Sequence, residues 1–444
     1  MLLRLGFALV LLASGTAAAS TRWVPLQIST IQGAIDASAY GDSVIVAAGI
    51  YREHVDFRGK AIYVGSEWGR DSTFIVPVQT ELATVRFVTG ENRGSVLDGF
   101  TIRGSRDGWG VLCSYSGPTI RNCDVSYTQE LGRNGSGIEC ANSYALIQYN
   151  RIHHNAAKWM GGGIYVRGLC VLGPDSLTIA YNDIYNNWGR FGSGIHCYYA
   201  DGVIIHHNLI RGNFGNHASA VSLLVYNTRF YNNTVIESRN GVDVDDGRGS
   251  DLRNNIVAQH VDLGVDPALA TYNYNDVWDV AMGAEPGPAG LSADPLFVDP
   301  AAGDYSLHPA SPCINAGDPD PSYNDPDGTR ADMGAGLAPG YPHEPFWLCP
   351  ITIPGDVNSS GAVTAADVIG LVNYVFKSGP APQPCSAAGD ANCDGSVTSA
   401  DIIREVNYLF GNAGVASAEQ LRKGGDPPCN SCALIQQGIW DCPE

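Results

Sequence analysis

The chain has 444 residues, 44% of them hydrophobic, and its 26 Lys and Arg residues against 45 Asp and Glu residues leave a formal net charge of -19. This apolar content suffices for one large domain or two unequal ones and excludes disorder as the dominant state. The acidic excess repels nucleic acid and anionic membrane surfaces, which argues against both as partners, and it favours cations, calcium first.

The first residues have the pattern of an export signal. Arg4 precedes an apolar run over residues 5–13, and the three alanines at 17–19 have the small-x-small form of a signal-peptidase site. Residues 1–19 are therefore predicted to be a signal peptide, with the mature chain starting near Ser20. No later run approaches the roughly 20 apolar residues that cross a bilayer. We expect a secreted, extracellular protein without membrane insertion.

A six-residue phrase, apolar-x-x-Asn-x-apolar, recurs through the middle of the chain. Its asparagines are Asn150, Asn182, Asn208, Asn233 and Asn255, and two earlier copies carry Phe100 and Cys123 at that place. A second phrase, a small residue followed by Val or Ile, falls between the copies at Val111, Ile138, Ile164, Ile195, Val221, Val242 and Val265. The two signals alternate without a miss.

Successive copies lie 21 to 32 residues apart, which suits a coil whose turns accept insertions better than a solenoid of fixed helices. Three short strands and three turns in each rung account for that length. Rungs stacked about 4.8 Å apart align equivalent side chains into columns. Asn at a corner between strands tolerates a left-handed backbone, and stacked Asn amides can hydrogen-bond along the axis. The Asn column is therefore predicted to be structural.

These features resemble the pectate-lyase-like superfamily over roughly residues 21–340. The resemblance implies a mainly β fold, a right-handed parallel β-helix solenoid, which we assign to residues 20–340. Residues 30–37 are similar to the amphipathic helix that caps such a solenoid, and 41–46, 49–51 and 59–64 to its first rungs. Residues 294–334 are similar to the closing segment of many secreted bacterial β-helix proteins.

Two copies of one acidic loop follow, 34 residues apart. Oxygen-bearing side chains stand at loop positions 1, 3, 5, 9 and 12, namely Asp356, Asn358, Ser360, Thr364 and Asp367 in the first copy and Asp390, Asn392, Asp394, Thr398 and Asp401 in the second. Gly361 and Gly395 at position 6 allow the sharp turn, and an apolar helical run follows each loop. Calcium needs six or more oxygens, and this spacing wraps them around one ion. The sequence therefore predicts a small α-helical domain that binds Ca²⁺ as its cofactor.

The duplicated loops resemble a type I dockerin, which we assign to residues 355–414, after a linker at 341–354 and before a cysteine-containing tail at 415–444. The resemblance implies calcium-dependent docking to a cohesin-bearing scaffold or another cell-surface partner. Position 12 is Asp, as is usual in dockerins. Ser360 replaces a carboxylate at position 5 of the first loop, so we expect that site to bind calcium more weakly than the second.

The strand that opens each rung has an inner and an outer row of side chains. Alternation sends Cys113, Cys140 and Cys197 inward, where they act as small core residues. It sends outward Glu139, Tyr165, Arg167, His196, Tyr198, Ser222, Asp243 and Asp245. In the superfamily that this chain resembles, polysaccharide lies on this face, which makes Glu139, Tyr165 and Tyr198 candidate substrate-binding residues.

Two catalytic hypotheses use this face. Asp243 and Asp245 stand two apart on one strand, so their Cβ atoms should lie about 7 Å apart, within the roughly 6.5 to 9.5 Å window of inverting glycosidases. Alternatively, Arg167, Tyr165 and His196 on adjacent rungs could serve a lyase, which needs a base and a cation near a uronate. The Asp pair is also consistent with plain solvation or with calcium binding.

Two other groups of polar residues have weaker interpretations. The pairs at 153–154 and 206–207 place histidines at different points of their rungs, which argues against one shared metal site. The acidic end loop containing Asp318, Asp320, Asp325, Asp327 and Asp332 is consistent with a further calcium ion or with ordinary turn chemistry.

The sequence thus favours a secreted protein that acts on polysaccharide, with hydrolysis ahead of elimination, and that carries a calcium-dependent docking module. The alternative is a non-catalytic carbohydrate-binding or adhesive surface β-helix, in which the repeat supplies only a long, stiff platform. Whether the chain is an enzyme stays open at this stage.

Overall fold

A computed structural model describes residues 19–79, 81–104, 106–130, 134–169, 176–215, 219–282, 286–325, 328–335 and 368–373. The predicted signal peptide up to residue 18, the linker, the cysteine-containing tail and all ten predicted calcium ligands lie outside the described residues. Residues 368–373, just after the first predicted calcium loop, are helical.

The described chain forms three long parallel sheets, and each complete turn of the coil contributes one strand to each sheet. Sheet A has 11 described strands: Thr21–Val24, Ser43–Val46, Tyr63–Ser66, Val96–Asp98, Thr119–Arg121, Leu146–Gln148, Thr178–Ala180, Ile204–His206, Arg229–Tyr231, Asp251–Arg253 and Thr271–Asn273. Sheet B has 10: Gly49–Arg52, Thr73–Val76, Thr101–Arg103, Asp124–Ser126, Arg151–His153, Asp183–Tyr185, Leu209–Arg211, Thr234–Ile236, Ile256–Leu263 and Asp276–Met282. Sheet C has 9: Val55–Asp56, Val85–Phe87, Val111–Ser114, Ile138–Ala141, Ile164–Leu169, Ile195–Asp201, Ser219–Tyr226, Asn240–Asp246 and Val265–Asp266.

The remaining elements close the two ends and one edge. The helix Ile31–Ala37 buries Ile31, Ala34 and Ile35, and the hydroxyl of Thr30 accepts a hydrogen bond from the N–H of Gly33 at its N-terminus. This confirms the predicted capping helix. The short strands Gln129–Glu130 and Ala156–Ala157 pair in parallel, Phe297–Asp299 and Asp304–Leu307 pair antiparallel, and 3₁₀ turns span Pro300–Ala302 and Pro321–Tyr323.

The core runs along the inside of the coil because every strand turns alternate side chains inward. Val111, Ile138, Ile164, Ile195, Val221, Val242 and Val265 occupy successive positions of one fully buried column. Cys113, Cys140 and Cys197 are free thiols buried in the neighbouring column, which confirms their predicted role as small core residues. A second cluster lies outside sheet B, where Tyr305, Leu307, Cys313 and Met333 of the closing segment cover Ile236, Ile256 and Ala258.

The predicted Asn column forms and lies between sheets A and B. The Oδ1 of Asn182 accepts hydrogen bonds from the backbone N–H and the Nδ2 of Asn150, both at 3.0 Å. The Nδ2 of Asn182 in turn donates to the Oδ1 of Asn208 at 2.9 Å, and the chain of bonds continues through Asn233 and Asn255 to Asn275. These amides satisfy buried backbone groups at each corner, so the column stabilises the register of the rungs.

The predicted conformation of that corner was wrong by one residue. The left-handed backbone does not fall on the column asparagines but on the residue before each of them, at Asn122, Tyr149, Tyr181, His207, Asn232, Asn254 and Tyr274, with φ between 50° and 59°. The column asparagines themselves hold the bonds along the axis. A second column, which the repeat analysis missed, stands five residues later at Asn155, Asn187 and Asn213 and ends on Ser238.

Candidate functional site

The outer face of sheet C carries the predicted site residues in two columns. Strand pairing places in one column, from rung to rung, Glu139, Tyr165, His196, Ser222, Asp243 and Asp266. The second column, two residues further along each strand, contains Arg167, Tyr198, Leu224 and Asp245. The alternation of the sequence therefore predicts the direction of these side chains correctly.

On the first rungs of this face, three side chains that point outward are not exposed to solvent. Glu139, Tyr165 and His196 point away from the core yet are buried, because the segments before their strands fold over them. The backbone of Gly192 lies so close that a Cβ atom there would stand 2.6 Å from the Cβ of His196. Glu139 also accepts a hydrogen bond from the Nε of Arg167 at 2.8 Å. In this conformation Arg167 and Tyr198 are exposed on the face, whereas the other three are covered.

His196 lies in an apolar setting under this cover. Its ring stacks near Tyr165, with centroids 5.8 Å apart, and near Tyr198 at 6.1 Å, and only 4% of the residue is exposed. Neither ring nitrogen has a hydrogen-bond partner. Burial lowers the pKa of His196 from 6.5 to about 4, so its imidazole is neutral at neutral pH. A neutral, unpartnered imidazole can accept a proton.

The far half of the face is open and acidic. Asp243 is partly buried and pairs in register with Asp266 on the next rung, while Asp245 and Asp266 are exposed. Burial raises the pKa of Asp243, and the negative charges of Asp266 and Asp245 raise it further. One carboxyl group is thus biased toward its protonated form beside exposed carboxyl groups. The carboxyl groups on this part of the face therefore stand in unequal environments.

The end loop holds its carboxylates in turn and ion-pair contacts. Asp318 pairs with Arg253 at 2.5 Å, Asp332 accepts from the N–H of Asn315 at 2.6 Å, and Asp325 accepts from the N–H of Asp332 at 3.1 Å. Asp327 lies outside the described residues. Within the described ranges no group of three or more His, Cys, Asp or Glu side chains is arranged to hold a metal ion.

The histidine pairs belong to two different sheets. His153 ends a strand of sheet B, where its Nε2 lies 2.9 Å from the Oδ2 of Asp124, and His206 ends a strand of sheet A and stacks on Tyr231. The two pairs therefore lie at different points of their rungs, as the sequence indicates. The partnership of His153 with Asp124 was missed, because their 29-residue separation is visible only once the rungs are in register.

Comparison with known families agrees with this architecture. Residues 87–274 match the family described as Right handed beta helix region, and residues 354–410 match the Dockerin type I domain. The chain thus combines a right-handed parallel β-helix with a C-terminal type I dockerin match, as the repeat and the duplicated loops predict. No protein with a curated description matches the chain. No helix in the described ranges has the length and apolar character needed to cross a membrane.

Several solved structures are similar in outline. Pectate lyase Pel9A is 14% identical over 72% of this chain and 97% of its own, with a TM-score of 0.43. The A-module of the mannuronan C-5 epimerase AlgE4 from Azotobacter vinelandii is 15% identical over 60% and 95%, with a TM-score of 0.29. The PL6 family alginate lyase AlyGC is 14% identical over 72% and 57%, with a TM-score of 0.26.

Proposed function

We propose that this protein binds polysaccharide along the outer face of sheet C and hydrolyses it at Asp243 and Asp245. The observation that carries the proposal is the unequal environment of two carboxyl groups on one strand. Asp243 is partly buried and has a raised pKa, whereas Asp245 is exposed. Such a pair supplies a proton donor and a proton acceptor at the same pH.

The proposed reaction assigns one role to each carboxyl group. Asp243 donates its proton to the glycosidic oxygen of the leaving sugar, and Asp245 takes a proton from the water that attacks the anomeric carbon. Residues two apart on a strand are separated by about 7 Å, which leaves room for that water and predicts inversion at the anomeric carbon. Tyr198 and Arg167, exposed on earlier rungs of the same face, would contact the polymer further along.

Activity of the full chain on pectin, polygalacturonate, alginate and xylan tests the proposal. Asp243→Asn and Asp245→Asn should each lower the rate of reducing-end release at least about a hundredfold, since each removes a proton-transfer group. The control Asp71→Asn, at an exposed carboxylate whose ion pair with Arg151 is 3.4 Å long, should keep full activity. Release that persists in both site variants would overturn the assignment.

The second candidate reaction is elimination, and the state of the His196 imidazole is the observation in its favour. This imidazole is neutral and has two unpartnered nitrogens that could accept a proton, but burial weakens it as a base and the covering segment would have to move before substrate could reach it. Elimination yields an unsaturated sugar that absorbs in the ultraviolet, and His196→Gln should abolish that signal. Uniform inactivity on every polymer, with binding retained, would favour the non-catalytic binding or adhesive class instead.

For the C-terminal region we propose calcium-dependent docking to a cohesin-bearing scaffold or another cell-surface protein outside the cell. The dockerin match over residues 354–410 and the oxygen donors at both loops support this role. The ligands would be the side chains named above, with Asp390, Asn392 and Asp394 forming the more acidic start of the second loop. Calcium supplies the charge that draws each loop into its folded form.

A further inference from the structure

A row of exposed aromatic side chains stands beside the candidate site. Trp159, Trp188 and Phe214 lie in three successive segments that each lead from sheet B into sheet C, and they are 40%, 39% and 52% exposed. We call these three residues, with Lys158 and Arg190, the aromatic rim. Large apolar side chains this exposed, close together along one edge, mark an interaction site more often than chance.

The rim stands on a rigid backbone. Trp188 pairs in parallel with Ala156 on one side and with Phe214 on the other. The N–H of Phe191 donates to the carbonyl of Trp159 at 3.0 Å, and the N–H of Gly189 donates to the carbonyl of Phe214 at 3.1 Å. Because these segments extend the ladder of the sheets, the backbone that carries the rings is ordered before any ligand arrives, which lowers the entropy cost of binding.

Glycines allow the close contact between rim segments, and Gly162 makes the tightest approach to the backbone of a rim residue. A Cβ atom at Gly162 would lie 2.3 Å from the carbonyl oxygen of Trp188, so no larger residue fits there without moving the backbone that carries the ring. This tight backbone packing supports exposed rings and adds no side chain to the core.

The rim is basic on an acidic protein. The segments 154–163, 186–194 and 212–215 contain Lys158 and Arg190 but no Asp or Glu, although the chain has 45 acidic residues. The guanidinium of Arg190 lies over the rings of Trp159 and Phe191, at 5.2 Å and 5.6 Å, and Lys158 lies 5.7 Å from Trp159. Neither cation forms an ion pair with a described carboxylate, so neither positive charge is neutralised by an acidic neighbour among the described residues.

We propose that the aromatic rim binds an acidic polysaccharide, with its rings stacked on sugar faces and Lys158 and Arg190 on carboxylates. Flat aromatic surfaces suit the apolar faces of sugar rings, and free cations select uronates over neutral sugars. The rim runs along the edge of sheet C, whose outer face carries Asp243. It would hold part of the polysaccharide that extends from this face. The choice of a polysaccharide as the ligand rests on the proposed function, whereas the rim itself is seen in the structure.

Binding is measured on the full chain carrying Asp245→Asn, so that the polymer is not degraded and failure of the proposed hydrolysis leaves the result readable. The probes are polygalacturonate, alginate and glucuronoxylan, with unsubstituted xylan and a β-glucan as neutral polymers. We expect at least one acidic polymer to bind, and Trp159→Ala with Trp188→Ala to weaken it at least about tenfold. Lys158→Gln with Arg190→Gln should weaken it similarly and flatten its salt dependence.

Trp68→Ala serves as the matched control, since Trp68 is 47% exposed but lies at the N-terminal end of the solenoid. Its binding should equal that of the parent, and the thermal midpoints of all variants should agree within a few degrees. Equal affinity for neutral polymers, or unchanged affinity in the rim variants, would overturn the proposal. So would a concentration-dependent self-association that Trp188→Ala abolishes, because the rim would then be an interface between two copies.

Discussion

At the corner between sheets A and B, single residues adopt a backbone that most side chains avoid. Tyr149, Tyr181 and His207 all have positive φ, which costs about 1 kcal/mol or more per residue. Their rings stack from rung to rung, with centroids 5.0 Å apart for Tyr149 and Tyr181 and 4.9 Å for Tyr181 and His207. This stacking offsets part of the backbone strain and explains why aromatic residues occupy a position usually held by Asn or Gly.

His196 leads to a prediction about acid stability. Because its folded pKa of about 4 lies below the unfolded value of 6.5, the unfolded chain binds the proton more readily between these values. Its contribution to stability is therefore complete above pH 6.5 and is lost as the pH falls toward 4. His196→Phe keeps the ring stacking and removes the titration, so its stability should fall less over that interval, by on the order of 2–3 kcal/mol.

Urea unfolding of both proteins at pH 7 and pH 4 measures this difference. His206 and His260, whose pKa values burial also lowers to about 4, stay in both proteins and leave part of the acid sensitivity in place. Identical pH profiles for the parent and His196→Phe would show that His196 is not held neutral by burial.

At the level of structural elements, successive rungs pair through short parallel strands, and each pair of strands contributes few hydrogen bonds. The Asn column therefore carries much of the register between sheets A and B. Spacings vary from 20 residues, between Asn255 and Asn275, to 32, between Asn150 and Asn182, yet the bonds along the column are uniform. Insertions are accommodated in the segments between sheets, and the corners stay constant.

Asn182→Ala should be strongly destabilising. The change leaves the buried carbonyl of Ile147 and the N–H of Asn150 without their partners, which costs roughly 3 kcal/mol or more. Asn92→Ala is the control, because Asn92 is exposed and only accepts a hydrogen bond from Gly94; it should cost less than about 1 kcal/mol. Denaturant midpoints compare the two variants, and similar costs would contradict the structural role of the column.

On the scale of the whole molecule, the chain combines a solenoid stabilised by its own core with a C-terminal region whose folding we propose to depend on calcium. Acidic loops repel themselves without a cation, and the overall charge of -19 adds to that repulsion. The interior columns of the solenoid are apolar or amide-based, so we expect its folding to depend less on calcium.

Chelation should therefore unfold one region and spare the other. We expect EDTA to remove helical circular dichroism while the β signal and the main thermal transition remain. Calorimetric titration should find two calcium ions bound with unequal affinity, and Ser360→Asp should strengthen the weaker site about tenfold by adding a carboxylate at position 5. A chain that binds no calcium, or a Ser360→Asp variant with unchanged affinities, would contradict this prediction.

The sequence by itself determined the solenoid, the valine and isoleucine column, the first Asn column, and the direction of the outward residues from Glu139 to Asp245 on sheet C. It could do so because rungs stack in register and strands alternate with a period of two, so that the valine and isoleucine column from Val111 to Val265 and the Asn column can be aligned from spacing alone. The duplicated acidic loops were equally visible, since each is encoded in one short stretch of chain.

Only the tertiary structure decided which outward residues are covered, which corner residue takes positive φ, and which aromatics gather at the rim. The segments between sheets B and C have irregular lengths and pack through backbone contacts, such as Gly192 over His196 and Gly162 against Trp188. Gly135, Gly161 and Gly192 recur at one place before these strands in the sequence, but their close approach to the outward residues is visible only in the structure. Exposure on this face therefore depends on how neighbouring segments fold against one another, whereas direction depends only on the strand.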